Sequence, residues 1–339
     1  MLRKCTRAKL YKTTSISFNI LISLVSIALS VLVLEGCVRF YFSNKLNYDF
    51  EMWRYAKELK APLPDSVLPF HHKSEKSGLY YGVELKTNSR GLRDIEYLTP
   101  KPKGVKRVLM LGDSFTLGWG VPFEDTFSKQ LERLIFYRFS GYQVVNMGTG
   151  NYNSSMEVEL FKQKGLALEP DIVVLMYYIN DTEPTPEIDG FSYKLMRHIY
   201  LPAYTNSKLK QLGMMNSSDD WLQAYYKKNY KSDSPGFEKA KYSINELIRI
   251  TSEKNIRLLI VNIPDLRRLK TYPFSFATEL PQGLAVQNSI PFLDLLQSLQ
   301  EYDGQVLWVS KDDSHMNQFA NRITAEVIFE KMLKENMLR

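Results

Sequence analysis

Short apolar runs alternate with amphipathic segments along the part of the chain that follows residue 102. The runs are bounded by turn-forming residues, which is typical of buried strands. The predicted strands are residues 107–111, a segment near Gln143, a segment near Ile172, residues 257–262 and residues 290–293.

Between these runs, apolar residues recur at helical spacing. Phe127, Leu131, Leu134 and Ile135 fall on one face of a helix, for example. The predicted helices are residues 124–138, residues 237–254, a segment before Asn288 and a segment after Asn317. Strands that alternate with helices favour an α/β fold, a three-layer α/β/α sandwich with a mainly parallel sheet covered on both faces.

The N-terminal region has a different pattern. From Thr13 to Leu34 there is no charged residue, and a helix of this length spans ~33 Å, enough to cross a bilayer core. Only basic charges precede it, which predicts a single-pass anchor in the inner (cytoplasmic) membrane and a catalytic domain on the periplasmic or extracytoplasmic side. The basic residues are Arg3, Lys4, Arg7, Lys9 and Lys12. Two alternatives stay open, a cleaved signal peptide and a lipid attached at Cys37.

The predicted organisation has four parts. Residues 35–102 mix proline, charge and aromatic residues without periodicity, so we interpret them as a stalk and lead-in segment, with His71 and His72 in a surface loop. The parts are a basic cytoplasmic tail (1–12), an anchor (13–34), the stalk and lead-in (35–102) and a catalytic domain (103–339) with an insertion at about 182–236. In the insertion, Trp221, Leu222 and Tyr225 predict a peripheral helix that packs on the domain, and a substrate lid is the alternative.

Composition restricts the possible partners. The basic tail accounts for most of the net charge of +7, so nucleic-acid binding has little support. Neither cysteine follows residue 37, which predicts a domain without disulfides. The four histidines show no regular ligand spacing, and we expect neither a metal nor a cofactor.

Three segments that follow predicted strands carry residues suited to acyl transfer. The first strand ends in Gly112-Asp113-Ser114, which exposes a hydroxyl, although an ordinary turn has the same sequence. A serine needs a base to accept its proton, and His315 is the candidate, with Asp312 three residues earlier to orient its ring. Asp313 is a possible partner as well, and either aspartate may instead cap the following helix.

Donors for an oxyanion are also available. Ser114 can give its amide, the loop containing Gly150 and Asn151 can give a backbone N–H, and Asn180 can give its side-chain amide. The alternative is that the glycine supplies backbone freedom and that Asn180 only ends a strand. Because ligands bind at the carboxyl ends of parallel strands, we expect Ser114, this loop and Asn180 to lie together.

In order and residue type, these blocks resemble the SGNH/GDSL hydrolase superfamily. The likeness covers about residues 88–328 and includes the lead-in from Thr87 to Arg93, which is similar to segments in membrane-anchored members. It implies a flavodoxin-like fold, Ser114 as nucleophile, His315 as base and Asp312 as its orienter. Asn151 stands where many relatives have glycine, but asparagine tolerates left-handed backbone and an amide can still serve.

The resemblance, together with the predicted anchor, indicates an extracytoplasmic serine esterase that removes acetyl or another short acyl group from a carbohydrate. Two alternatives are an O-acyltransferase that modifies an envelope or exported polysaccharide and a non-catalytic glycan-binding scaffold. Trp119, Tyr152 and Tyr178 lie near the blocks and are candidates to stack on sugar rings. The expected partners are an acylated small molecule or glycan and the membrane. The acyl length and the oligomeric state stay open.

Overall fold

The computed structural model describes residues 2–43, 45–63, 67–188, 190–215 and 220–338. The strands are β1 (Lys60–Pro62), β2 (Phe70–His72), β3 (Ser77–Tyr80), β4 (Val83–Lys86), β5 (Lys106–Leu111), β6 (Tyr142–Asn146), β7 (Ile172–Tyr177), β8 (Arg257–Asn262), β9 (Phe292–Asp294), β10 (Trp308–Ser310) and β11 (Asp313–Met316). The helices are α1 (Leu2–Ser43), α2 (Tyr48–Glu58), α3 (Ser114–Leu117), α4 (Phe127–Phe136), α5 (Ser154–Leu160), α6 (Phe191–His198), α7 (Tyr200–Met215), α8 (Trp221–Asn229), α9 (Pro235–Glu253), α10 (Ser275–Gln287), α11 (Leu296–Leu299), α12 (Gly304–Leu307) and α13 (Gln318–Lys334).

The central sheet has five parallel strands in the order β6-β5-β7-β8-β9. The chain therefore runs outward from β5 in both directions, which is the flavodoxin-like order. The predicted α/β fold with a mainly parallel sheet is confirmed. β8 has the predicted bounds, whereas the last strand of the sheet begins two residues later than the start of the predicted segment 290–293.

Successive side chains of a strand point to opposite faces of the sheet. Both faces are apolar here because consecutive strand residues are apolar. Val108 and Met110 of β5 belong to one hydrophobic cluster, which α4 and α13 cover. Leu109 and Leu111 belong to a second cluster, which α5, α9 and α10 cover. This double burial explains why the strands read as continuous apolar runs.

The helix predicted for residues 124–138 is shorter in the structure. Its first residue is Phe127, because the Thr126 side chain accepts the amide of Lys129 and caps the helix there. The residues before the cap form a single 3-10 turn. The final helix begins after Asn317 as predicted, and Asn317 itself is the cap.

The segment interpreted as a stalk is folded against residues that follow Ser114. It contains α2 and strands β1 to β4, which form two small antiparallel sheets. Tyr55, Leu59 and Tyr80 are buried in a third hydrophobic cluster together with Leu117 and Trp119, which follow Ser114 in the chain. An extended stalk does not agree with this packing. The sequence did not indicate the packing, because the aromatic residues that fill this core have no regular spacing along the chain.

The insertion forms α6, α7 and α8. Tyr226 of α8 is buried, and Leu222 and Tyr225 pack on the same core, so the predicted peripheral helix is confirmed. Arg197 of α6 donates hydrogen bonds to the carbonyls of Ala56, Lys57 and Lys60, which stabilises the end of α2.

One N-terminal helix, Phe18–Ser43, is long and apolar enough to span a membrane, a property that a signal sequence near the N-terminus would share. Its last turns contact the insertion. The Glu35 carboxylate accepts the amides of Tyr200 and Leu201 and so caps α7. Phe42 packs near Phe50 of α2, with ring centroids 6.1 Å apart. The apolar helix therefore contacts both α7 and α2.

Candidate active site

Ser114 lies at the carboxyl end of β5, in the turn that leads into α3. Glycine is required at position 112, two residues before Ser114, since a Cβ there would lie 2.0 Å from Thr116 Oγ1. Asp113 caps the short helix by accepting the amide of Phe115. Ser114 is buried, with 6% of the residue exposed.

His315 lies within hydrogen-bonding distance of this hydroxyl. Its Nε2 is 2.8 Å from Ser114 Oγ, although the residues are 201 positions apart. Its Nδ1 is 2.5 Å from Asp313 Oδ1. A carboxylate only accepts, so Nδ1 carries the proton and Nε2 is free to accept the serine proton.

The carboxylate that bonds the His315 ring is that of Asp313, so the prediction of Asp312 as the partner of the ring is wrong. Asp313 and His315 belong to β11, where residues two apart point to the same side. The expected turn, which would have joined residues three apart, ends before Asp313. Asp312 is exposed, and its amide donates to Ser310 Oγ.

Aromatic side chains enclose His315. Its ring centroid is 4.8 Å from that of Phe115, 5.6 Å from that of Tyr48 and 6.5 Å from that of Trp119. The indole N–H of Trp119 donates to Asp313 Oδ2 at 2.8 Å, so this residue holds the carboxylate from the side away from the histidine. The sequence did not indicate this contact, because Trp119 and Asp313 are 194 positions apart and belong to no common motif.

The predicted sugar-stacking role of three aromatic residues does not agree with their positions. Trp119, Tyr152 and Tyr178 are all buried. The hydroxyl of Tyr152 donates to Phe70 O, and that of Tyr178 donates to Asp265. Since their faces pack inside the protein, none offers a free platform to a sugar ring.

Asn180 lies next to the turn formed by Gly112, Asp113 and Ser114, as predicted. Its Nδ2 donates to Asp113 Oδ2 at 3.0 Å. An amide nitrogen has two hydrogens, so the second one is left for an oxyanion. Burial raises the pKa of the Asp113 carboxyl above its usual range.

The two predicted donors of the loop, the amides of Gly150 and Asn151, differ in their hydrogen bonding. The Gly150 amide donates to the Tyr55 hydroxyl at 3.0 Å, so it is not available to an oxyanion. Asn151 has a φ of 63°, the left-handed geometry that was expected of it. Among the described residues, the amides of Ser114 and Asn151 have no hydrogen-bond partner. Of the predicted donors, the inclusion of Gly150 is therefore wrong, and Ser114, Asn151 and Asn180 stay as candidates.

The lead-in motif, from Thr87 to Arg93, contacts the segment that follows Ser114. Arg93 is buried, and its guanidinium donates to the carbonyls of Leu117, Gly118 and Val121. Gly91 has a φ of 75°, and its carbonyl faces Nδ1 of His72 at 3.2 Å. His72 is buried at the end of β2, so its prediction as part of a surface loop is wrong.

Two further carboxyl groups are buried near Asn180. Both oxygens of Glu157 and one oxygen of Asp181 have no hydrogen-bond partner in the described part of the chain. Burial raises the pKa of each well above its usual range, and the negative charge of Asp113 raises it further; at Glu157 the charge of Asp181 adds to this effect. Among the described residues, no group of three or more His, Cys, Asp or Glu is arranged to hold a metal ion.

No protein-family model matches the chain, and no curated protein matches it. Solved structures similar to it include an acetyl xylan esterase (17% identity, 66% of this chain and 98% of that chain, TM-score 0.44). They also include a catalytic mutant of Axe2, an acetylxylan esterase from Geobacillus stearothermophilus (13%, 67% and 94%, 0.44). A member of the lipolytic protein G-D-S-L family from Veillonella parvula is a third (15%, 68% and 97%, 0.42).

Proposed function

We propose that the chain is a serine esterase of the SGNH/GDSL type that cleaves a short acyl ester outside the cytoplasm. The observation that carries the proposal is the continuous hydrogen-bonded series from Ser114 Oγ through the His315 ring to Asp313, with distances of 2.8 and 2.5 Å. This is the arrangement that converts a weakly nucleophilic hydroxyl into an attacking group.

The reaction proceeds in two steps. As the Ser114 oxygen attacks the ester carbonyl, its proton passes to His315 Nε2, and the resulting imidazolium is stabilised by Asp313. The negative charge that develops on the carbonyl oxygen is stabilised by the amides of Ser114 and Asn151 and by the second hydrogen of Asn180. His315 then protonates the leaving alcohol and activates the water that releases the acid.

The enclosed site favours a small acyl group. Ser114 and His315 are 6% and 8% exposed. Tyr48, Phe115, Trp119 and His315 stand ring against ring, which leaves little volume beside the hydroxyl. A short acyl group such as acetyl fits this enclosure better than a long chain, and a carbohydrate ester is the substrate class that the sequence resemblance implies.

The N-terminal helix supports a location at a membrane. Phe42 near its end packs on α2, and Tyr48 at the start of α2 packs on His315, so the catalytic centre follows the apolar helix closely. We assign the domain to the extracytoplasmic side because only basic residues precede the apolar segment. A substrate held at the membrane surface is within reach of such a site.

Acyl transfer to a second hydroxyl is the alternative activity. The enclosure that limits access to Ser114 also limits access of water to an acyl-enzyme, and a bound alcohol would then compete as the acceptor. Incubation of the full-length chain with an activated acetyl ester and a glycan distinguishes the two. Free acetate alone indicates hydrolysis, and acetylated glycan indicates transfer.

Labelling by a fluorophosphonate tests the proposal. We expect the wild-type chain to be labelled at Ser114, and we expect Ser114→Ala to lose both the label and ester turnover. A wild-type chain that is neither labelled nor active would contradict the proposal and favour a non-catalytic scaffold. Equal labelling of Ser114→Ala would show that the reactive hydroxyl lies elsewhere.

A further inference from the structure

A buried lysine reaches the loop that carries the Asn151 amide. Lys60 begins β1, and only 2% of the residue is exposed. Its Nζ donates to the carbonyl oxygen of Gly150 and, at 2.9 Å, to Oδ1 of Asn151. The aliphatic stem passes into a slot where Nζ lies 4.3 Å from the ring centroid of Phe70 and 4.6 Å from that of Tyr55.

The other side of Gly150 is held by Tyr55. The Gly150 amide donates to the Tyr55 hydroxyl at 3.0 Å, and this hydroxyl lies 2.5 Å from His72 Nε2. His72 Nδ1 faces the carbonyl of Gly91, so Nδ1 is the donor and Nε2 must accept from the tyrosine. Burial lowers the pKa of His72 to about 3, and the ring is neutral, as this series of hydrogen bonds requires.

The loop therefore lies between two fixed surfaces. On one side, the Thr149 amide donates to Gly112 O, which joins the loop to the nucleophile turn. On the other side, Lys60 and Tyr55 bind the carbonyl and the amide of Gly150. Position 150 must be glycine for this approach, because a Cβ would lie 2.9 Å from Tyr55 Cε1.

Peptide geometry links these contacts to Asn151. The Gly150 carbonyl and the Asn151 N–H belong to one planar peptide group, and in a trans peptide they point in opposite directions. A donor that fixes the carbonyl toward Lys60 therefore directs the N–H away from it. A hydrogen bond at the oxygen also polarises the group and makes its N–H a stronger donor.

Packing alone does not account for a lysine at this position. A buried amino group loses its hydration, so an apolar side chain would fill the same slot at lower cost. Asn151 is in the left-handed region, and the contact of its Oδ1 with Lys60 stabilises that conformation.

We propose that Lys60, assisted by Tyr55, is a positioning residue for the reaction, because it directs the Asn151 amide toward the developing oxyanion and strengthens it as a donor. This inference rests on the proposed function. It also assigns the lead-in segment to the active site, since both residues come from the region that precedes residue 103.

The test is Lys60→Met in the full-length chain in detergent, with Lys164→Met as the matched control. Lys164 also donates to a backbone carbonyl, that of Arg90, but does not touch the loop. For an activated acetyl ester, we expect Lys60→Met to lower kcat about 10- to 100-fold with little change in KM, because only transition-state binding is affected. Lys164→Met should keep kcat within about twofold.

A second readout separates positioning from a general loss of structure. An alkylboronic acid forms a tetrahedral adduct with a catalytic serine, whereas acetate resembles the ground state of the product. The affinity of the boronate should fall by the same factor as kcat in Lys60→Met, and the affinity of acetate should not change. If Lys60→Met does not fold, Tyr55→Phe tests the other contact of Gly150 with the same expected pattern.

The outcomes separate this inference from the proposed function. An active wild type whose Lys60→Met variant folds and keeps its kcat and boronate affinity overturns the inference alone. Parallel losses of boronate and acetate affinity would also overturn it, because they indicate a distorted site. A wild-type chain without turnover or fluorophosphonate labelling removes the proposed function and this inference together.

Discussion

Replacement of Asp313 by asparagine tests the assignment of the orienting carboxylate. Asp313 Oδ1 accepts the backbone amide of His315 at 3.0 Å and its ring Nδ1 at 2.5 Å, while Oδ2 accepts the Trp119 indole at 2.8 Å. Both oxygens are therefore acceptors. Asparagine has one acceptor oxygen and one donor nitrogen, so in either orientation its NH₂ group faces an N–H.

The two orientations have different costs. If the NH₂ group faces Trp119, the histidine keeps its tautomer but loses the negative charge that stabilises the imidazolium, and the unmet indole donor costs about 1–3 kcal/mol of stability. If the NH₂ group faces His315, the ring adopts the tautomer that cannot accept the serine proton. We expect kcat to fall by about 10³- to 10⁴-fold, a barrier increase of about 4–5.5 kcal/mol.

Asp312→Asn provides a matched control, because it makes the same chemical change at the adjacent, exposed position. Steady-state hydrolysis of an activated acetyl ester should show Asp312→Asn within about twofold of wild type. Thermal unfolding of both variants checks that the protein is folded. The reasoning is refuted if Asp312→Asn loses activity while a folded Asp313→Asn keeps it.

Three further predictions concern buried groups around the site. Trp119→Phe removes the indole donor to Asp313 and should lower kcat about 10-fold without raising KM, whereas a rise in KM alone would indicate substrate stacking. The Glu157 carboxyl keeps its proton above its usual pKa in the folded state and releases it on unfolding, so stability falls as pH rises. The stability of Glu157→Gln relative to wild type should therefore increase with pH, and an unchanged difference in urea unfolding between pH 5 and 8 would contradict this. His72 has a folded pKa of about 3 and stays neutral, whereas in the unfolded chain its imidazole binds a proton below its ordinary pKa of 6.5. Acidification from pH 7 to 5 should thus cost the wild type about 2 kcal/mol more than His72→Gln in the same assay, and equal losses would contradict the assignment.

Most of the sheet could be predicted because most positions of β5 to β8 are buried on both faces, whereas β9 is only half-buried. Residues 107–111, 143–146, 172–177 and 257–262 are apolar runs for that reason, and the turn signals at their ends are local. Ser114 and Asn180 could be predicted as candidate site residues because they follow strand signals, and His315 because a nearby aspartate makes it a candidate base. Asn151 could be predicted to adopt left-handed backbone because few residue types tolerate it.

The remaining parts depend on contacts between distant residues. The choice between Asp312 and Asp313 depends on whether residues 312–315 form a turn or a strand, and β11 pairs only with the very short β10, which has no clear pattern of its own. An alternation of Asp313 with His315 was the one available signal. Tyr55 and Lys60 had none, because their partners on the Gly150 loop lie far along the chain, and His72 had none because it contacts that loop only through Tyr55.

The central claim is that Ser114 forms a covalent acyl-enzyme. It can be measured most directly by acid-quenching the full-length chain during turnover of an activated acetyl ester and locating the acetyl group by peptide mass spectrometry. We predict an acetyl group on the peptide that contains Ser114, and none on that peptide in Ser114→Ala. Acetylation of a different residue in active protein, with Ser114 unmodified, would contradict the account.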